Sequence, residues 1–126
     1  MSFRITIDPA DVVFSQWIRL RDKYCVRCGS PVQINGKGLP VSHENSHYHG
    51  RGRENTRFDE SNCDCLCSGC HQIWGSEDKE GYRYFKIKQL GQRGFDALLI
   101  ASNTYKKKDR VMELIRAKAL LQELMK

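Results

Sequence analysis

Six cysteines and four histidines are the residues of this 126-residue chain whose spacing can do chemistry. Cys25-x-x-Cys28 and Cys67-x-x-Cys70 are two halves of a four-thiolate site, because each pair on a tight turn presents two sulfurs to one tetrahedral ion. The expected ion is a structural zinc. Cys63 and Cys65 sit just before the second pair. If that stretch is extended, alternate residues share a face, and these thiols either crowd the same ion or pack as small apolar groups. Packing is the expectation. A single C-x-x-C can be a dithiol redox centre, and the presence of a second pair argues against that reading.

Three of the histidines, His43, His47 and His49, crowd into residues 41–49, and His71 directly follows Cys70. Imidazole titrates near neutral pH and ligates metals, so such a cluster beside a knuckle suits a site that needs a base and a metal ligand. His43 and His49 read as surface or supporting residues, with a phosphate contact open to His49. Arg51, Arg53 and Arg57 follow in a glycine-rich stretch and are expected to contact a DNA backbone. Lys106, Lys107 and Lys108 read as a solvated run. A net charge of +6 and a pI near 9.1 suit a polyanionic partner.

The elements that must position these residues follow from pattern. Asp8-Pro9 is an N-cap and first-turn proline, and Val13, Trp17, Leu20 and Tyr24 recur at helical spacing, which predicts a helix over 9–23, reaching 24 at most. A knuckle turn follows at 25–29. Two extended stretches, 31–34 and 39–47, flank Asn35-Gly36 and predict a β-hairpin. Residues 49–62 read as a loop with Phe58 as its one anchor. A short helix is expected from Ser68 to about Gly75, then helices over 79–90 and 94–101 with Gly91 ending the first, and a last helix over 109–125.

Several of these residues together resemble a known group of enzymes. Ser46-His47-Tyr48, then Thr56-Arg57-Phe58-Asp59, Asn62 five residues before Cys67, and Cys67-x-x-Cys70-His71 resemble HNH nucleases clamped by a four-cysteine zinc. His47, Asn62 and His71 supply the three letters in order. More narrowly, Trp17-Ile18-Arg19-Leu20-Arg21-Asp22 leading into Cys25-x-x-Cys28-Gly29, and Leu90-Gly91 before an apolar helix, are similar to the phage NinG (Rap) recombination proteins. The resemblance spans about residues 12–100.

It implies an α+β fold: a small zinc-stabilised ββα-metal (HNH) finger holding one catalytic divalent ion, with flanking helices at both ends. It implies a metal-dependent DNA endonuclease in which His47 activates water, Asn62 holds the loop or reaches the ion, and His71 ligates it. Magnesium or manganese suits hydrolysis of a phosphodiester. Many HNH sites carry an Asp or His immediately before the base, and this chain has Ser46. The ion is then held by some combination of His71, Asn62, Ser46, water and substrate, or by a substitute such as Glu44 or Asp64, and low metal affinity is the implied consequence. NinG-like sequences often lack an acid there too. Branched recombination intermediates enter as substrates through the resemblance alone.

The chain is the size of one domain, with residues 25–75 as its zinc-clamped core and 79–126 as C-terminal helices. The start of the sequence lacks the apolar segment of a secretory signal and no run is long enough to span a bilayer, so an intracellular, cytoplasmic protein is expected, encoded by a phage or prophage in a bacterial host if the resemblance holds. Reduced thiols in that compartment favour metal over disulfides. In the last helix, Val111, Leu114, Ala117, Leu121 and Leu124 can face the core while Ile115, Leu120 and Met125 are left either for a partner in a homodimer or for a groove of the same domain in which the helix is sunk. The rival to the enzyme is a non-catalytic zinc module that binds nucleic acid, with His47 and His71 merely structural.

Overall fold

The computed structural model of the protein describes residues 6–126. Its first helix, α1 (Pro9–Asp22), begins as its sequence dictates. The Asp8 carboxylate accepts from Ala10 N–H, the Asp11 carboxylate accepts from Asp8 N–H, and Pro9 fills the first turn where no N–H is needed. Lys23 ends the helix in the left-handed conformation.

One two-stranded antiparallel sheet forms the centre: β1 (Glu44–His47) pairs with β2 (Cys63–Leu66), with Ser46 opposite Asp64 and His47 opposite Cys63. This corrects the expected hairpin. Residues 31–40 make only two isolated bridges, Tyr24 with Pro31 and Ile34 with Pro40, around a turn closed by Asn35. Proline has no N–H to give a ladder, and each bridge contains one. The true partner of β1 lies across the arginine-rich loop, so that loop joins the two strands rather than following them.

β2 is buried on both faces. Cys63 and Cys65 pack with Ala10, Phe14, Trp17, Ile18, Val32, Phe58 and Ala117, while Leu66 joins Cys25, Cys70, Trp74 and Tyr82 in a second cluster. The two thiols are therefore core groups, as expected. Burial pushes the Cys65 thiol up to about 12 and raises Cys63 as well, so both remain uncharged. Helix α1 also closes the free edge of β2. Arg21 donates to the carbonyls of Glu60 (2.9 Å) and Cys63 (2.8 Å), and Asp22 accepts from Cys65 N–H (2.9 Å). An edge strand left open would offer these groups to another chain.

After β2 come α2 (Ser68–Gln72), a wider helical turn (Ile73–Glu77), α3 (Lys79–Asn103) and α4 (Arg110–Leu124). Helix α3 is broken at Gly91, whose φ of 75° and ψ of 162° suit glycine alone, so the expected stop there is present inside a longer element. Helix α4 lies along α1. Its core side carries Ala117 with Leu114, Leu120 and Leu121, which corrects the assignment of Leu120 to a partner face. Val111 and Leu124, expected in the core, are exposed, as are Met112, Ile115 and Met125.

The loop from 48 to 62 is ordered by two short turns, Glu54–Thr56 and Glu60–Asn62, and by buried anchors. Phe58 packs edge-on against Phe14. Arg57 is 5% exposed and forks onto Asp11 (2.9 and 2.5 Å) and the Thr6 carbonyl (2.8 Å), tying the loop to α1. Burial opposes charge on Asp11, yet hydrogen bonds from Arg57 hold its carboxyl below the usual range. Glu54 receives a second fork from Arg110 at the start of α4.

Candidate metal and nuclease site

The four-cysteine cluster is assembled from two turns. In the first, Gly29 N–H donates to the Cys25 carbonyl (2.8 Å), with Gly29 at a φ of 80°, and the Cys28 amide points at Cys25 Sγ (3.5 Å). In the second, Cys67 caps α2 and Cys70 lies in its first turn, with His71 N–H on the Cys67 carbonyl (2.8 Å). The four sulfurs lie within 4.8 Å of one another. Cys28 and Cys67 are 3.8 Å apart, which equals the edge of a tetrahedron with Zn–S bonds of about 2.3 Å. The thiol chemistry and the spacing thus fit zinc, with ligands Cys25, Cys28, Cys67 and Cys70.

Neighbours reinforce this cluster. The Ser30 hydroxyl beside Cys28 lowers that thiol to about 6, and Arg27 reaches Cys70 Sγ at 3.3 Å. Burial pushes Cys70 up to about 12, a cost that a bound cation offsets. His43, in the left-handed conformation at a φ of 65°, uses Nε2 to meet the Ser30 hydroxyl (3.1 Å) and carbonyl (2.9 Å). It supports the knuckle and belongs to no other site.

On the other side of β1 and α2 lies a cleft of about 500 Å³, lined among others by Ser46, His47, His49, His71, Trp74, Lys79 and Tyr82. His47 stands at the end of β1. Its Nε2 is 2.9 Å from the Arg57 carbonyl, and a carbonyl can only accept, so Nε2 carries the proton and Nδ1 keeps a lone pair. Burial lowers His47 to about 4, opposed by the bond to the Arg57 carbonyl and aided by the charge of Arg51, so the ring is neutral near pH 7. Among the described residues nothing donates to Nδ1.

His71 has the complementary arrangement. Its Nδ1 is 2.8 Å from Glu44 Oε1, so a carboxylate orients the ring and leaves Nε2 free, the usual support of a ligating histidine. Glu44 is thereby engaged in holding His71. Asn62 is fully buried and fastens the loop: its Nδ2 donates to the carbonyls of His49 (2.9 Å) and Thr56 (3.0 Å), and its Oδ1 accepts from His49 N–H (2.8 Å). Both ends of the amide are engaged and the side chain has no exposed surface, so of the two expected roles the geometry fits holding the loop rather than reaching an ion.

Two further expectations change. Arg57, committed to Asp11 and Thr6, presents its backbone carbonyl to the cleft and cannot offer its side chain to DNA. Asp64 is also fully buried, paired with Lys86 (2.9 Å). It does not reach the cleft as a substitute ligand. Arg53 is exposed, with one long contact to Asn103 (3.4 Å), and Arg51 Nε finds no partner among the described residues. His49 Nε2, on the cleft wall, is unpartnered in the same sense.

Sequence reasoning missed Tyr82 and Lys86. Nothing in the local sequence pattern around either marks it as a buried polar group.

The fold and the cysteine cluster define a small α+β protein with four clustered cysteines that could hold a metal ion. Within that class the chain belongs to the NinG family: the model of the bacteriophage lambda NinG protein matches residues 3–126. No curated protein and no solved structure matches the chain. Among the described residues, no helix is long and apolar enough to cross a membrane.

Proposed function

We propose that this protein is a divalent-metal-dependent DNA endonuclease of the ββα-metal (HNH) type, acting in phage recombination. The observation that carries this reading is the His47 imidazole in the wall of a cleft that also contains His71, fixed by the Arg57 carbonyl through Nε2 so that Nδ1 is unprotonated. The order β1, loop, β2, α2 supports it: β1 ends on His47, the loop brings the Arg57 carbonyl and Asn62, β2 pairs with β1, and α2 brings His71.

In this reading His47 Nδ1 takes a proton from water as the water oxygen bonds to phosphorus and the bridging P–O bond breaks, with the departing oxygen collecting a proton from solvent. Neutral His47 is required for that step. A divalent ion, magnesium or manganese, neutralises charge on the phosphate and the departing oxygen when bound. His71 Nε2, left free by the bond from Nδ1 to Glu44, is the protein ligand in this reading, so water and substrate oxygens make up most of the shell and ion binding is weak. Arg51, Arg53 and Lys79 are suited to phosphate contact, and Asn62 holds the loop that carries the Arg57 carbonyl.

Nicking of supercoiled plasmid by zinc-loaded protein, dependent on added magnesium or manganese, tests the reading. Tight DNA binding without cleavage under any divalent ion supports the rival, a zinc-binding module without catalysis. Comparison of single-stranded, duplex, flap and four-way substrates decides whether branched DNA is preferred.

A further inference from the structure

Beneath the cleft runs a buried polar chain that the reaction just described does not use. Tyr82 Oη lies 3.0 Å from Asp64 Oδ2 and 3.1 Å from Ser46 Oγ. Lys86 Nζ contacts Asp64 Oδ2 (2.9 Å), Gln89 Oε1 (2.7 Å) and the Ser61 carbonyl (2.6 Å). Asp64 and Lys86 are both fully buried, and Ser46 is nearly so.

The direction of these bonds is fixed by counting hydrogens. A carboxylate only accepts, so the single phenol hydrogen of Tyr82 goes to Asp64. The contact with Ser46 must then be donated by the serine hydroxyl, which leaves both Ser46 lone pairs without a donor among the described residues. Burial raises the Tyr82 phenol well above its ordinary value, so that hydrogen stays in place. Ser46 lines the cleft directly before His47, and Asp64 is its cross-strand partner.

We propose that Ser46 Oγ is an oxygen ligand for the divalent ion of the cleft, oriented and polarised through Tyr82 by Asp64 on the neighbouring strand. The inference rests on the cleft being a divalent-ion site. A free serine hydroxyl is a weak ligand because its hydrogen turns in any direction and its oxygen is neutral. Donation into a chain that ends on a carboxylate removes the first defect and lessens the second, since hydrogen bonds in series strengthen one another. The acid that a ligand position would ordinarily carry thus acts from one strand away. Because Lys86 balances Asp64, the site gains an oriented oxygen without a net negative charge.

Manganese binding to the zinc-loaded full chain without DNA, followed by electron paramagnetic resonance beside thermal melting, tests this. Ser46→Ala and Tyr82→Phe should each weaken manganese binding about tenfold, the lower end of the effect of losing a metal's supporting partners. Ser46→Thr, which keeps the hydroxyl, should bind as the wild type does. Tyr82→Phe keeps the ring that stacks on Trp74 at 4.7 Å, and should it fail to fold, the pair Ser46→Ala and Ser46→Thr decides. Manganese binding lost in His71→Ala but unchanged in Ser46→Ala overturns the serine ligand and leaves the cleft reading standing. Absence of any His71-dependent binding in the wild type overturns both.

Discussion

Nε2 of His47 donates to the backbone carbonyl of Arg57 across 2.9 Å, a bond between the last residue of β1 and the middle of the loop that joins the strands. Through it the loop sets the tautomer of the imidazole. The same residue's side chain is bonded to Asp11 on α1, so the carbonyl is held from behind.

The low His47 value gives a pH prediction. In the unfolded chain histidine titrates near 6.5, whereas in the fold burial holds it at about 4. The unfolded state therefore binds more protons between those values, and stability is fully present above about 6.5 and declines as pH falls toward 4. His47→Asn should lose less melting temperature than the wild type over that window. Equal slopes would mean that the ring is not buried neutral.

The zinc cluster predicts one tightly held zinc per chain. Serine at Cys25, Cys28, Cys67 or Cys70 should release the metal and unfold the protein, because structural zinc contributes roughly 10–16 kcal/mol against a net stability of about 5–15 kcal/mol. Cys63→Ser and Cys65→Ser should keep the zinc, with a loss of stability from a polar hydroxyl in the core. Metal analysis of the six variants checks this.

The loop arginines should separate by role. Arg57→Ala leaves Asp11 buried without its partner and should cost about 3–5 kcal/mol in denaturant unfolding. Arg51→Ala and Arg53→Ala should leave stability nearly unchanged and reduce the slope of log affinity for DNA against log salt by about one. A stable Arg57→Ala with a reduced salt slope would reverse the assignment.

What was legible in the sequence depended on whether the signal was local. The cysteine quartet was legible because two short spacings define it, and α1 because Asp8, Pro9 and Asp11 specify its start. That His47 and His71 fall in one cleft was legible through the resemblance, and their roles as base and ligand belong to the proposal. The strand β2 was not, since Cys-Asp-Cys-Leu alternates thiols with a buried carboxylate and so hides a strand covered on both faces. Arg57 was misread because an arginine in a polar loop looks solvated, and its partner Asp11 lies 46 positions away. The Ser46, Tyr82, Asp64 and Lys86 chain was invisible for the same reason: three elements distant in sequence each supply part of it.

The homodimer suggested by α4 keeps Ile115 and Met125, loses Leu120 to the core and gains Val111 and Met112. Val111, Met112 and Ile115 are exposed on its outer side, and a dimer through that face would bring two single-strand cutters together. Light scattering should return twice the 14.6 kDa chain mass and a monomer for Ile115→Asp. A monomer mass for the intact protein excludes the interface.

The most direct test of the endonuclease reading is the rate of single-turnover DNA cleavage by wild type and His47→Ala, each zinc-loaded, folded and saturated with manganese. The account predicts metal-dependent cleavage by the wild type and a rate about 10²–10⁴ times lower for His47→Ala with unchanged DNA affinity. No metal-dependent cleavage by the wild type, or equal rates for the two proteins, would contradict it.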